Sequence, residues 1–253
     1  IGSTTNYRVN QNIEGQNISS LNYGSSDAKT VALSFYVKSS LTGTFGGKLG
    51  NSARDRSHPF TYTISSANTW EKKTVTIPGD TSGTWLDTNG IGFELVWSIG
   101  AGADRLGTAG TWAGVRYDGA SGQTNIIATN SSTWFITGVQ LEVGQNATEF
   151  EHEPFERTMA RCQRYCYNAA GVDMWIGGSS GTGSSHDYYI PVSFPVDMRA
   201  TPSAVNYTYT GYNSATSNGL FSDATKSFKM SLRPATTSES GIVIDTGTLE
   251  AEL

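Results

Sequence analysis

The stretch whose reading decides the fold is TWFITGVQLEVGQNATEFEHEPFERTMARCQR, from Thr133 to Arg164. Its beginning alternates: Phe135, Thr137, Val139, Leu141 and Val143 fall on one side and Ile136, Gly138, Gln140 and Glu142 on the other, the two-residue period of a half-buried strand. Its end changes period. Phe155, Met159, Cys162 and Cys166 recur at spacings of four, three and four, which places them on one face of a helix. Pro154 suits the start of that helix, where the backbone N–H has no intrahelical partner to lose. One β body ends and another begins at this joint, so we expect a first domain over 1–150, a helical connector over 151–169 and a second β domain over 170–253.

Upstream, Thr30 to Lys38 alternates with Val31, Leu33, Phe35 and Val37 on one face. Gly43–Leu49, Pro59–Ile64, Glu71–Ile77 and Ile91–Ile99 read as further strands, with GDTSG (79–83) and DTNG (87–90) as turns. Six or more strands at this spacing predict an antiparallel β-sandwich. Between Gly100 and Asn130 the pattern is glycine-rich and weak, and long loops around one or two short strands are expected there. Downstream, Val172–Ile176, Tyr188–Val196, Ala204–Thr210, Lys226–Leu232 and Gly241–Leu253 read as strands, separated by GGSSGTGSS (177–185) and GYNSATSNG (211–219). Pro191, Pro195 and Pro202 favour edge strands in this second body.

Composition agrees with an all-β chain. Only 15% of the 253 residues are charged, against roughly 25% in ordinary soluble proteins, and Gly, Ser, Thr and Asn are abundant. A net charge of -5 without a basic stripe argues against nucleic-acid binding. No apolar run approaches the roughly 18 residues of a membrane span. The chain opens at Ile1 rather than Met, which reads as a fragment or a processed product. Cys162 and Cys166, one helical turn apart, are poorly placed to bridge each other and read as reduced packing residues, as in a protein assembled in the cytosol.

Enzymatic signatures are weak. Glu94, Asp104, Asp118, Glu142, Glu149, Glu151 and Glu153 supply carboxylates but no spacing that marks a catalytic pair. No nucleophile elbow accompanies His58, His152 and His186. GTFGG (43–47) lacks the lysine and helix of a phosphate loop, and its glycines suit a bulged or tightly turned strand. A mixed aromatic and polar set at Asp104, Trp112, Arg116, Tyr117 and Asp118 has the residue types that stack on sugar faces and bond sugar hydroxyls. The alternative for Trp112 is a place in the core.

The segments VALSFYVKSSLTGTFGG (31–47), WEKKTVTIPGDTSGTW (70–85), WFITGVQLEVGQNATEFEH (134–152), CQRYCY (162–167) and FPVDMRATP (194–202) together resemble tail-fibre and related virion surface proteins of tailed bacteriophages, especially marine and cyanobacterial ones. The similarity covers nearly the whole chain. It implies an N-terminal jelly roll of the carbohydrate-binding-module type, a short helical neck and a small C-terminal β domain on the virion surface. Tyr36 stands where the family usually carries tryptophan, and Glu153 where a basic residue is common. The resemblance further implies a non-enzymatic protein of host attachment that binds cell-surface glycans. A capsid-decorating head-fibre protein is the alternative, and a polysaccharide depolymerase a third reading. It implies a homotrimer with Phe155, Met159, Cys162 and Cys166 at the neck, contacts with other virion proteins, and a structural Ca²⁺ for which Glu14 and Glu142 are the pair to test.

Overall fold

The computed structural model describes residues 1–176, 188–212, 215, 220–221, 224–233 and 240–251. His186, the stretch 177–185 and most of 211–219 lie outside them. The chain is mostly β, 47% strand against 10% helix, in several antiparallel sheets. It divides into two compact units, Ile1–His152 and Glu153–Leu253.

In the first unit the elements run β1 (Asn6–Glu14), a one-turn helix α1 (Gly15–Ile18), β2 (Val31–Ser39), β3 (Gly43–Gly50), β4 (Ser57–Ile64), β5 (Glu71–Ile77), β6 (Ile91–Ala101), the two-residue strands β7 (Leu106–Gly107) and β8 (Gly119–Ala120), and β9 (Trp134–Val143). One sheet has the order β1-β6-β3-β4 and a second β5-β2-β9. Alternate residues of both feed one core: Leu33, Phe35 and Val37 from β2 meet Phe45 and Leu49 from β3, Phe60 and Tyr62 from β4, and Phe93, Leu95 and Trp97 from β6. Phe35 bridges the sheets, meeting Tyr62 and Trp97 edge-on at centroid distances of 5.1 and 5.8 Å.

Strand β9 departs from the strict alternation read in its sequence. Its register against β2 slips between Ser34 and Tyr36, so that Gly138 and Val139 share the place opposite Phe35. Gly138 takes φ +58°, the left-handed conformation that glycine adopts without a Cβ penalty. The bulge reverses the facing of everything before it. Trp134 and Ile136 therefore join Val139 and Leu141 against the core, while Phe135 turns outward. In β3, by contrast, GTFGG forms no bulge, since its register with both neighbours is continuous. Gly46 instead permits close approach from outside: a Cβ there would lie 3.0 Å from the Ala120 backbone nitrogen.

That approach explains why β6 is buried along nearly its whole length, on both faces. The segment read as long loops around one or two short strands, 100–130, holds β7 and β8 and lies across the outer face of the four-stranded sheet. Gln123 donates to Ser98 Oγ at 2.6 Å, and Asp118 accepts from Asn6 and Arg8 of β1 at 2.6 and 2.8 Å. Under this cover sit Lys48 and Glu94, an ion pair with 1% and 4% exposure. The outer face of the second sheet is covered by 144–151: Thr76 donates to Gln145 O, the Glu151 N–H to Gln140, and Thr148 to Glu142.

In the second unit follow α2 (Phe155–Gln163), β10 (Cys166–Asn168), β11 (Asp173–Ile176), β12 (Tyr188–Ser193), β13 (Ser203–Tyr212), β14 (Leu220–Phe221), β15 (Ser227–Leu232) and β16 (Ser240–Glu250). β16 pairs with β10, β11 and β13, and β15 lies between β12 and β14, which leaves Pro191 on an edge strand. Phe228, Met230 and Leu232 of β15 share a core with Ile242, Ile244 and Leu249 of β16. The helix is shorter than its period suggested. It ends at Gln163, and Cys166 belongs to β10, opposite Glu250, so the fourth member of the predicted apolar stripe is not on the helix. Both cysteines are reduced and exposed rather than packed. Phe155 is 71% exposed and Met159 40%, and no residue of α2 is buried. No helix among the described residues is long and apolar enough to cross a membrane.

Candidate functional site

The residues proposed from sequence for sugar binding do not converge on one open surface. Asp104 lies exposed in a 3-10 turn, its backbone N–H donating to Ser3 O at 3.0 Å. Trp112 packs at the core margin, its indole N–H donating to Pro78 O at 2.8 Å and its ring edge-on to Tyr23, Trp85 and His58. The half-buried Tyr117 covers Gly107, where an added Cβ would come within 2.3 Å of its ring. Arg116 and Asp118 are paired at 3.0 Å, and the Asp118 carboxylate is fully buried. These side chains fasten the covering segment down.

The calcium pair is likewise engaged elsewhere. Glu14 is buried on β1 of the four-stranded sheet, whereas Glu142 stands on β9 of the other sheet. Glu142 accepts from the backbone N–H and hydroxyl of Thr148, and bonds from Gln140 and Thr148 hold its carboxyl below the usual range. Among the described residues no group of three His, Cys, Asp or Glu side chains is placed to hold a metal ion.

Beside Trp112, His58 is buried with neither ring nitrogen hydrogen-bonded among the described residues. Burial disfavours the imidazolium and pulls its pKa below the ordinary 6.5. The unfolded chain therefore binds the proton more readily. Stability is complete above about pH 6.5 and declines as the pH falls through that value toward the folded-state pKa, by at most about 1.4 kcal/mol per pH unit. Urea midpoints measured between about pH 7.5 and about pH 5.5 should show this slope, and His58→Phe should flatten it.

A different region has the form of a binding site. β1 and β9 are the open edges of the two sheets on the same side of the core, and between them lies a cleft of about 980 Å³, near the upper end of the size range of small-ligand sites. Its walls are Val9 of β1, Ile99 of β6, Ile126 and Ile127 of a 3-10 turn, and Trp134 and Ile136 of β9. Trp134 is fixed by its indole N–H, which donates to the buried Tyr62 hydroxyl at 3.1 Å. The polar rim is Thr129–Ser132, tied down by Ser132 Oγ donating to Ile126 O at 2.7 Å. Within it Ser131 adopts φ +58°, a conformation non-glycine residues rarely take and one that gathers at ligand sites.

Two aromatic rings at the mouth face solvent, Trp70 at 45% exposure and Phe135 at 48%. The bulge at Gly138 is what turns Phe135 there. Lys38, the partner of Phe135 across β2, holds its ammonium 4.9 Å from the Phe135 centroid and 5.2 Å from that of Trp70. Among the described residues the lining contains no Asp, Glu, His or Cys. What the cleft offers is stacking surface, hydroxyl and amide groups, and the adjacent Lys38 ammonium.

No spacing in the sequence brings Trp70, Phe135 and Trp134 together, so the cleft is not among the sites expected from the sequence. The signal that finds it is the glycine in an otherwise regular strand, which marks a bulge and hence a change of facing. Compared with known families and curated proteins, the sequence matches no family model and no curated protein.

Proposed function

We propose that this chain is a non-enzymatic virion surface protein of a tailed bacteriophage, of the tail-fibre type, whose first unit is a jelly roll that binds host-surface glycans in the cleft between β1 and β9. The resemblance of the segments between Val31 and Pro202 to such proteins supports the virion setting. The two antiparallel sheets around one core agree with a jelly roll. The observation that carries the binding role is the cleft itself: exposed Trp70 and Phe135 beside Asn130, Ser131 and Thr137 combine faces for the C–H side of a sugar with partners for its hydroxyls.

The solvent-facing stripe of Phe155, Met159 and Cys162 on α2 supports assembly through that helix. A nine-residue helix is marginal alone, and three copies joined at a neck would shelter the stripe. Weak sites multiplied in this way gain avidity through effective concentration. The assembled protein would sit on the virion surface beside other virion proteins.

A glycan array and host-cell binding test this reading. The wild-type protein should bind, and Trp70→Ala with Phe135→Ala should weaken binding at least about tenfold, as loss of stacking aromatics does, without lowering the melting temperature appreciably. Absence of binding to glycans and cells alike would overturn it. Light scattering should give a trimer that Phe155→Glu dissociates.

A further inference from the structure

Lys38 places its ammonium against both aromatic rings at the mouth of the cleft, and its surroundings are unusual for a lysine. Its neighbours on the same sheet are neutralised: Lys72 lies 3.4 Å from Glu149 and Lys73 is paired with Glu71. Lys38 is half-buried between two aromatic rings, and among the described residues no carboxylate lies within ion-pair distance of its ammonium. The rings attract the cation by their quadrupoles and hold it in place, yet they cannot neutralise it. A positive charge thus stands fixed at the entrance of a cleft whose lining, among the described residues, carries no charge of either sign.

We infer that the cleft selects glycans bearing a carboxylate, a uronate-type sugar, and that Lys38 is the residue that reads the charge. This rests on the cleft being a glycan site. A sugar stacked at Trp70 or Phe135 lies beside the ammonium, within reach of a carboxylate on the same ring. Lys38 is already ordered by the two rings and partly desolvated, so a charge-assisted bond to it forms at little further cost in side-chain entropy. One cation matches one carboxylate per bound sugar. A densely sulfated chain calls for several, and among the described residues the lining itself adds no cation to Lys38.

Calorimetric titration of the full chain with oligogalacturonate, its carboxyl-reduced neutral counterpart and a sulfated galactan oligomer separates the possibilities. The uronate oligomer should bind about tenfold more tightly than the reduced one, the size expected of one hydrogen bond to a charged group, and the preference should shrink as salt is raised. Lys38→Met keeps the aliphatic stem under the rings and should abolish the preference, whereas Lys38→Arg should retain it. Thermal melts confirm that each variant is folded. Equal binding of the uronate and reduced oligomers, tighter binding of the sulfated one, or a preference that survives Lys38→Met overturns the inference while leaving the cleft as a glycan site. Failure of every oligomer to bind, with no glycan bound on the array, overturns both.

Discussion

Glu94→Gln is expected to destabilise the first unit by about 3–5 kcal/mol, the cost of removing one member of a buried ion pair. Glu94 stands on β6 with Lys48 beside it on β3, both beneath the covering segment, and its carboxylate also lies 3.3 Å from Arg54 and 3.6 Å from Arg8. Burial alone would raise its pKa, but the charges of Lys48, Arg8 and Arg54 outweigh this and hold it below the ordinary carboxylate value of 4.5. Burial pulls the Lys48 ammonium down from its usual pKa, against the pull of Glu94. Glutamine fills the same space but leaves Lys48 buried without its counter-charge. Because a typical domain is stable by only ~5–15 kcal/mol, the loss should appear as a large drop in the urea midpoint. The double variant Lys48→Met with Glu94→Leu removes both charges and should recover most of the loss, since an apolar pair of similar volume carries no desolvation cost. The sign of the pH dependence follows. A depressed carboxylate contributes stability that is present above about pH 4.5 and is lost as the pH falls through its folded-state value. Glu94→Gln should remove that acid-side slope.

How far the sequence discloses this molecule depends on which side chains repeat. β2 was legible because Val31, Leu33, Phe35 and Val37 all face one core. β1 was not, although NYRVNQNIE alternates with Tyr7, Val9 and Ile13 on one face: Gln11 interrupts that face, and as an edge strand β1 leaves Tyr7 and Val9 exposed and sends Asn6 and Arg8 to an internal carboxylate rather than to water. The covering role of 100–130 was hidden for a related reason. Asp118 and Gln123 act through side-chain hydrogen bonds to strands far away in sequence, and such bonds leave no period. The same applies to the cleft. Its aromatic residues were visible one by one, but the direction of Phe135 depends on the bulge at Gly138, which shifts the facing by one residue. The helix was legible in kind but not in length, since the Cys162-to-Cys166 spacing fits a helix while the pairing of Cys166 with Glu250 makes it a strand.

The second large effect is expected for Asp118→Asn, at about 3 kcal/mol or more of stability, with no change in glycan binding. Asp118 was a reasonable sugar-contacting residue in sequence, flanked by Arg116 and Tyr117 in a glycine-rich segment. In the fold its carboxylate accepts from Asn6 at 2.6 Å, Arg8 at 2.8 Å and Arg116 at 3.0 Å, with no exposure to solvent. An amide cannot offset two guanidinium groups, and its N–H₂ would face donors where the carboxylate presented a second acceptor. The covering segment should loosen first, so amide hydrogen exchange should rise in 103–125 before it rises in β2. Arg8 touches both Asp118 and Glu94. The effects of Asp118→Asn and Glu94→Gln should therefore not add, and a double-mutant cycle should give a coupling of at least about 0.5 kcal/mol. Burial predicts a further property. Raising the salt concentration should leave these losses nearly unchanged, because ions screen exposed charges far more than buried ones. If Asp118→Asn instead left the urea midpoint in place and abolished glycan binding, the covering segment would be the recognition surface and the cleft would lose its claim.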